Sequence, residues 1–279
     1  MKKFALLTNY QVDEDLSVTH RIEEYINGHG GSCWLPRPLP DGYYDVSDMP
    51  DDIDCALTLG GDGTFLNAAR RLRSRKTPLF GINLGNLGYL TSAEADDIPE
   101  CLVELLEDRY RIDERMMLRG KVMHVSGETV TDTALNDIVI SRAGALRVVE
   151  FRIFVDGDLL SVYDADGIIV STATGSTGYN LSAGGPVVMP NTSVMVVTPI
   201  CPHTLQTRSV IVSAGSRVRI AIGRRRKTQN EEAAVTFDGT MSEKMSIIDS
   251  VEITRAREKT RILRRPESGF CSIFNNSRM

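Results

Sequence analysis

Cys55-Ala56-Leu57-Thr58-Leu59 runs directly into Gly60-Gly61-Asp62-Gly63-Thr64, and Phe65 to Arg73 follows at helical spacing. A short, almost wholly apolar run of this kind reads as a strand buried on both faces, as a parallel sheet requires. The glycines allow a sharp reversal and a close approach of backbone to a ligand. The amides that open the next helix point outward as anion donors. Strand, glycine-rich turn and helix therefore form one βα unit whose turn, Gly60, Gly61, Gly63 and Thr64, can hold a phosphate. Asp62 admits two readings. It can cap the helix at a tight turn, or it can accept a proton from an attacking hydroxyl or hold a metal ion, because a carboxylate in an anion site is otherwise costly.

Working outward, Phe4 to Leu7 is a short apolar strand, and Leu16, Ile22, Tyr25 and Ile26 mark a helix that stops at Gly28. Residues 36–54 hold four prolines and six aspartates and read as an irregular connection. Pro78 to Ile82 forms a third strand and Cys101 to Leu106 a helix started by Pro99. This alternation predicts a Rossmann-like parallel α/β domain over residues 1–112. Beyond about Arg111 helical periodicity disappears. Strands are expected at 121–125, 138–141, 148–155, 167–171, 194–198, 210–212, 218–222, 234–237 and 251–255. A β-rich domain over 113–261 follows, with the tail 262–279 packing back on the first domain and an active site in the cleft between the two.

At 279 residues, 42% of them apolar, the chain can build sizeable cores. A net charge of −5 gives no field to draw nucleic acid or an anionic membrane, so any anionic ligand must be held locally. Five scattered cysteines without a C-x-x-C pair fit a reduced, cytoplasmic protein without a zinc site. No apolar stretch approaches the roughly 20 residues of a membrane span. The run Arg224-Arg225-Arg226-Lys227 reads as a solvated hairpin tip.

Three further stretches carry polar chemistry. Asp166-Gly167 leads through Ile168-Ile169-Val170-Ser171 into Thr172-Ala173-Thr174-Gly175-Ser176-Thr177-Gly178-Tyr179-Asn180-Leu181-Ser182, whose short hydroxyls suit a sugar or phosphate, although such runs are also plain solvated loops. Asn136-Asp137 opens a strand and can grip ribose hydroxyls or simply form a turn. Asn83-Leu84-Gly85-Asn86-Leu87-Gly88-Tyr89-Leu90 follows the third strand, on the rim where α/β sheets bind ligands. There Tyr89 can stack on a base or pack on the core. Walker-type loops, the dinucleotide G-x-G-x-x-G, G-x-S-x-G and H-E-x-x-H are all missing, which removes the usual support for hydride transfer, serine hydrolysis and zinc proteolysis.

Taken together, the runs at 60–70, 83–91, 136–137, 166–186 and Thr198 to His203 resemble bacterial NAD kinases. The resemblance implies transfer of the terminal phosphoryl group of ATP to the 2′-hydroxyl of the adenosine ribose of NAD. It implies Asp62 as base with Gly63 beside the substrate, and Asn136 and Asp137 on the adenosine half. Asp166 and residues 174–182 would line a dinucleotide groove, with Thr174, Thr177, Gly178, Tyr179, Asn180, Leu181 and Ser182 as contacts. Tyr89 would lie against adenine, Cys201 toward nicotinamide, and Arg147 and Asp164 beside the same ligand. A divalent cation such as Mg2+ and a homodimer or homotetramer are also implied. Two departures stand out: Asn67 and Asp164 occupy positions where many relatives are basic. The rivals are a lipid or sugar-phosphate kinase sharing G-G-D-G, and a dinucleotide-binding module without turnover, for which Asp62 would have no use.

Overall fold

The computed structural model describes residues 1–39, 42–85, 88–143, 148–203, 208–223, 232–266 and 269. The expectations for Arg147, for residues 224–227 and for most of the tail beyond 266 lie outside these residues. The chain divides into two compact units: residues up to Arg115 with those from Thr260 onward, and Met116–Lys259. The first holds β1 (Lys3–Thr8), α1 (Ser17–Gly28), β2 (Ser32–Trp34), β3 (Arg37–Pro38), β4 (Tyr44–Asp45), β5 (Cys55–Leu59), α2 (Asp62–Arg71), β6 (Leu79–Asn83), β7 (Ala93–Glu94), α3 (Ile98–Leu106) and the start of β8 (Arg111–Met123). The second holds the rest of β8, then β9 (Thr129–Ala134), β10 (Asp137–Arg142), β11 (Val149–Val155), β12 (Asp158–Ala165), β13 (Gly167–Thr172), α4 (Tyr179–Ser182), β14 (Val194–Ile200), β15 (Val210–Ser213), β16 (Val218–Ile222), β17 (Glu232–Phe237), β18 (Met241–Ser246) and most of β19 (Ser250–Arg264).

In the first unit β2, β1, β5 and β6 lie side by side, all parallel, and Ile262 near the end of β19 pairs in parallel with Leu79 of β6. The expected parallel sheet is therefore present. Its apolar strands are buried because helices cover them: Phe4, Leu6, Leu57, Leu59, Phe80 and Ile82 form one cluster with Ile22 and Ile26 of α1 and Ile98, Leu102 and Leu105 of α3. Residues 36–54, expected to be irregular, contain the two-residue ladder of β3 and β4, and Tyr44 on it is fully buried.

The second unit is a sandwich of antiparallel sheets. One runs β12-β11-β16-β19 and the other β15-β14-β13-β10-β17-β18. Phe151, Ile153, Ile220 and Ile253 from the first meet Ile138, Ile140, Ile168, Val170 and Phe237 from the second in one dry cluster. Strands β9, β12 and β18 were not expected. β12 is an edge strand that leaves Leu159, Leu160 and Val162 exposed, so it lacks the alternation of a half-buried strand. The strand expected at 121–125 is the end of β8, and Val125 lies beyond it, its amide donating to Asp249 Oδ1 at 2.9 Å. Among the described residues no helix is long and apolar enough to cross a membrane.

Candidate active site

β5 ends at Leu59 and delivers the glycine-rich turn to the rim of the first sheet. Gly60 has φ +151°, and a side chain there would collide with Thr64 Oγ1, so glycine is required for the turn to close. The Gly60 amide donates to Ile82 O at 3.1 Å, which ties the turn to β6. α2 starts at Asp62 with Gly61 as its cap residue and no side-chain cap. Asp62 is thus the first residue of the helix, and the amides of Asp62 and Gly63 have no intrahelical acceptor. A Cβ added to Gly61 or Gly63 would meet nothing within 4 Å, so this face is open to a ligand. Thr64 differs from its expected role: it is buried, and its Oγ1 points beneath Gly60 with no hydrogen-bond partner. Its side chain therefore shapes the turn and does not face a phosphate.

The Asp62 carboxylate is held from the other side. Oδ2 accepts from the Tyr89 amide at 2.9 Å and Oδ1 from the Leu90 amide at 3.1 Å. Gly88 is the neighbour that makes room, since any Cβ there would overlap the carboxylate. Asp62 is half-buried at a helix N-terminus, where the aligned peptide dipoles favour negative charge. Tyr89 is also half-buried, and its carbonyl accepts from Arg264 Nη2 at 3.4 Å. Asn67, the departure noted in the sequence, accepts from Arg71 Nε at 2.6 Å and so orients a basic side chain one turn on.

In the second unit Asn136 and Asp137 are fixed by an aspartate that sequence reasoning missed. Asp238 accepts from the amides of Leu135 (2.7 Å), Asn136 (2.7 Å) and Asp137 (3.1 Å). It sits in the turn after β17 with φ 49°, followed by Gly239 with φ 69°. The signal available in the sequence was Asp238-Gly239, a turn dipeptide. Asp137 is buried, and desolvation together with the Asp238 charge raises its carboxyl to about 7. Thr172 links this strand opening to the hydroxyl-rich loop: its amide donates to Asn136 O (2.8 Å), its Oγ1 donates to Leu135 O (2.7 Å) and accepts from the Gly175 amide (3.0 Å). Gly175 packs so closely on the Asn136 backbone that no side chain fits. Asn136 Oδ1 is buried with no partner, an acceptor left available beside this loop.

The expected contacts in 174–182 divide by exposure. Tyr179, Leu181 and Ser182 are exposed, Thr177 and Gly178 half-buried and Thr174 buried. Asn180 differs from the expectation of a ligand contact. It is fully buried, Nδ2 donating to Ser176 O and Pro186 O (both 3.1 Å) and Oδ1 accepting from Thr198 Oγ1 (2.7 Å), so it locks the loop from within. Asp166 is ion-paired with Arg142 Nε at 2.8 Å, which neutralises the carboxylate proposed to line the groove. Asp164 is half-buried opposite Glu150 of β11, its carbonyl accepting from the His203 amide at 2.8 Å. Cys201 is an exposed thiol at φ 44°. A separate cavity of about 440 Å3 in this unit, lined by Phe154, Arg217, Arg219 and Glu252, includes none of the expected residues.

Among the described residues no group of three or more His, Cys, Asp or Glu side chains can cage a metal ion.

Comparison with known proteins bears on the same two units. Residues 11–110 match the ATP-NAD kinase N-terminal domain and residues 135–265 the ATP-NAD kinase C-terminal domain. The chain is 40% identical over 269 residues to the NAD kinase of Lachnoclostridium phytofermentans, covering 95% of this chain and 94% of that one. It is 38% identical over 291 residues to the NAD kinase of Lachnospira eligens, 99% of each. In fold it resembles yeast NADH kinase complexed with NADH (TM-score 0.84, 23% identity, 99% of this chain and 86% of that one). It also resembles an Archaeoglobus fulgidus NAD kinase in complex with ATP (TM-score 0.80, 24% identity, 100% and 99%). With both domain models matched in order and relatives of the same length at this identity, the chain belongs to the ATP-NAD kinase family.

Proposed function

We infer that this protein is an NAD kinase, which transfers the terminal phosphoryl group of ATP to the 2′-hydroxyl of the adenosine ribose of NAD. The observation that carries the chemistry is Asp62: one carboxylate, gripped by two amides, at the head of a helix between two glycines, Gly61 and Gly63, that border open space. In this reading Asp62 takes the proton of the 2′-hydroxyl as the oxygen attacks. The amides of Gly61, Asp62 and Gly63 hold the donor phosphates, and positioning supplies most of the rate.

In the second unit Asn136 and Asp137 orient the adenosine half, and the unpartnered Asn136 Oδ1 supports a polar ligand there. Asp137, with its carboxyl near 7, can offer a proton to a hydroxyl as readily as accept one. Thr177, Tyr179, Leu181 and Ser182 supply further contacts, with Tyr89 for the base and Cys201 toward nicotinamide. A magnesium ion brought in with ATP would share the donor phosphates with the amides of Gly61, Asp62 and Gly63 and neutralise part of their charge. A cytoplasmic homo-oligomer completes the reading, supported by the apolar edge of β12.

The test is direct. Purified protein with NAD, magnesium and ATP should yield NADP, read by a dehydrogenase strictly dependent on it, and Asp62→Asn should lower kcat by at least about 10²-fold with KM for NAD within a few-fold. Absence of NADP would refute the activity, and near-normal turnover in the variant would remove Asp62 as base.

A further inference from the structure

The residues that grip Asp62 belong to neither helix nor strand: residues 88–92 lead into β7 and begin at Gly88. Much of what holds residues 89–92 comes from the far end of the chain. Arg264 Nη1 donates to Thr91 O at 2.8 Å and to Ser92 Oγ at 3.2 Å, and Nη2 donates to Tyr89 O at 3.4 Å. Ser92 Oγ donates in turn to Leu263 O at 2.8 Å, and the Ser92 amide to Gly81 O at 2.7 Å. Tyr89 and Leu90, whose amides hold the two carboxylate oxygens, are thus braced at Tyr89 O and Thr91 O by one guanidinium.

That guanidinium sits in an expensive place. Arg264 is 4% exposed, and burial with the nearby Arg115 pushes its pKa down to about 10. Its nearest carboxylate, Asp113, is 4.0 Å away and already paired with Arg115 at 2.8 Å. An apolar side chain of similar volume would fill this space without the desolvation cost. What it could not do is send parallel N–H groups to two carbonyls of one loop, which the planar fork of arginine does.

We propose that Arg264 is a positioning residue for the phosphoryl transfer, fixing residues 89–92 and through their amides the orientation of the Asp62 carboxylate. The inference rests on the reading of Asp62 as base. With each oxygen bound by one amide, the carboxylate turns only if the loop shifts, and a loop released by loss of Arg264 lets it turn. A base out of line costs rate at the chemical step while leaving the affinity for NAD intact.

The experiment compares full-length wild type, Arg264→Met, Asp62→Asn and the double variant, reading kcat, KM for NAD and melting temperature. Arg264→Met should lower kcat at least about tenfold with KM for NAD within about threefold, and Arg264→Lys should recover part of the loss. In the Asp62→Asn background the same change should cost less than about twofold, because a residue that acts through Asp62 has nothing left to position. Wild-type kcat in Arg264→Met, or a full-sized effect in the double variant, overturns the inference. Should Arg264→Met fail to fold, Gly88→Ala tests the same geometry, since its methyl displaces the carboxylate directly; it should lose kcat without KM, and a wild-type rate overturns the inference. An inactive Asp62→Asn beside an active Arg264→Met removes this inference alone, whereas an active Asp62→Asn removes the base reading and this inference with it.

Discussion

Asp62 and Asp238 both hold backbone amides, and they do so to opposite ends. Asp62 takes two amides, from Tyr89 and Leu90, and stands at the head of a helix beside open space. Asp238 takes three, from Leu135, Asn136 and Asp137, in a turn with positive φ. In the first the loop organises the carboxylate; in the second the carboxylate organises the loop. The same donor-acceptor chemistry thus yields an oriented base in one unit and, in the other, an anchor whose charge adds to burial in raising the carboxyl beside it.

If that contrast holds, substitutions should separate activity from stability. Asp62→Asn should cause the largest change in rate, at least about 10²-fold in kcat, with a melting temperature near that of wild type. Asp238→Ala should chiefly destabilise. Three amides lose their acceptor, and even with partial access to water the cost is about 3 kcal/mol, read as a lower urea midpoint. Equal losses of stability in the two variants would erase the distinction.

The difference also explains what the sequence made legible. The Asp62 turn is contiguous: a buried strand, glycines and a helix start are all local signals, so the parallel sheet and the phosphate loop could be read together. Arg264 lies 202 residues from Asp62 and carries no local pattern that would join them. Asp238 lies 102 residues from Asn136, and its only mark was a turn dipeptide. Edge strand β12 was invisible for a related reason, because exposed Leu159, Leu160 and Val162 break the alternation that burial imposes. Thr64 and Asn180 were misplaced because composition cannot distinguish a hydroxyl or amide that faces a ligand from one that locks a turn.

A titration sharpens the second half of the comparison. Burial and Asp238 raise the Asp137 carboxyl to about 7, whereas an unfolded aspartate titrates near about 3.9. Between these values the folded state keeps a proton that the unfolded chain has released. Stability contributed by this group is therefore full at low pH, falls as pH rises from about 4 to about 7, and is level above. Asp137→Asn removes that slope. Relative to the variant, the wild type should lose about 2–4 kcal/mol between pH 4.5 and pH 7.5 in urea titrations. A constant difference would mean that the carboxyl is already ionised at the acid end.

The smallest expected effects divide two neighbours in the hydroxyl-rich loop. Asn180 is fully buried and makes three hydrogen bonds, whereas Ser182, two residues on, is exposed at the end of α4. If the loop binds NAD through its exposed side, Ser182→Ala removes one hydrogen bond to ligand, worth about 0.5–1.5 kcal/mol, and should raise KM for NAD by roughly two- to tenfold at an unchanged melting temperature. Asn180→Ala leaves the carbonyls of Ser176 and Pro186 without their amide donor, with Thr198 Oγ1 still bonded to Ser209 Oγ, so it should lower the melting temperature by several degrees. Its effect on KM should arise only as the loop loosens, and should therefore shrink on cooling, while that of Ser182→Ala persists. Steady-state kinetics at two temperatures distinguish them, and a temperature-independent rise in KM for Asn180→Ala would mean that this amide reaches the ligand after all.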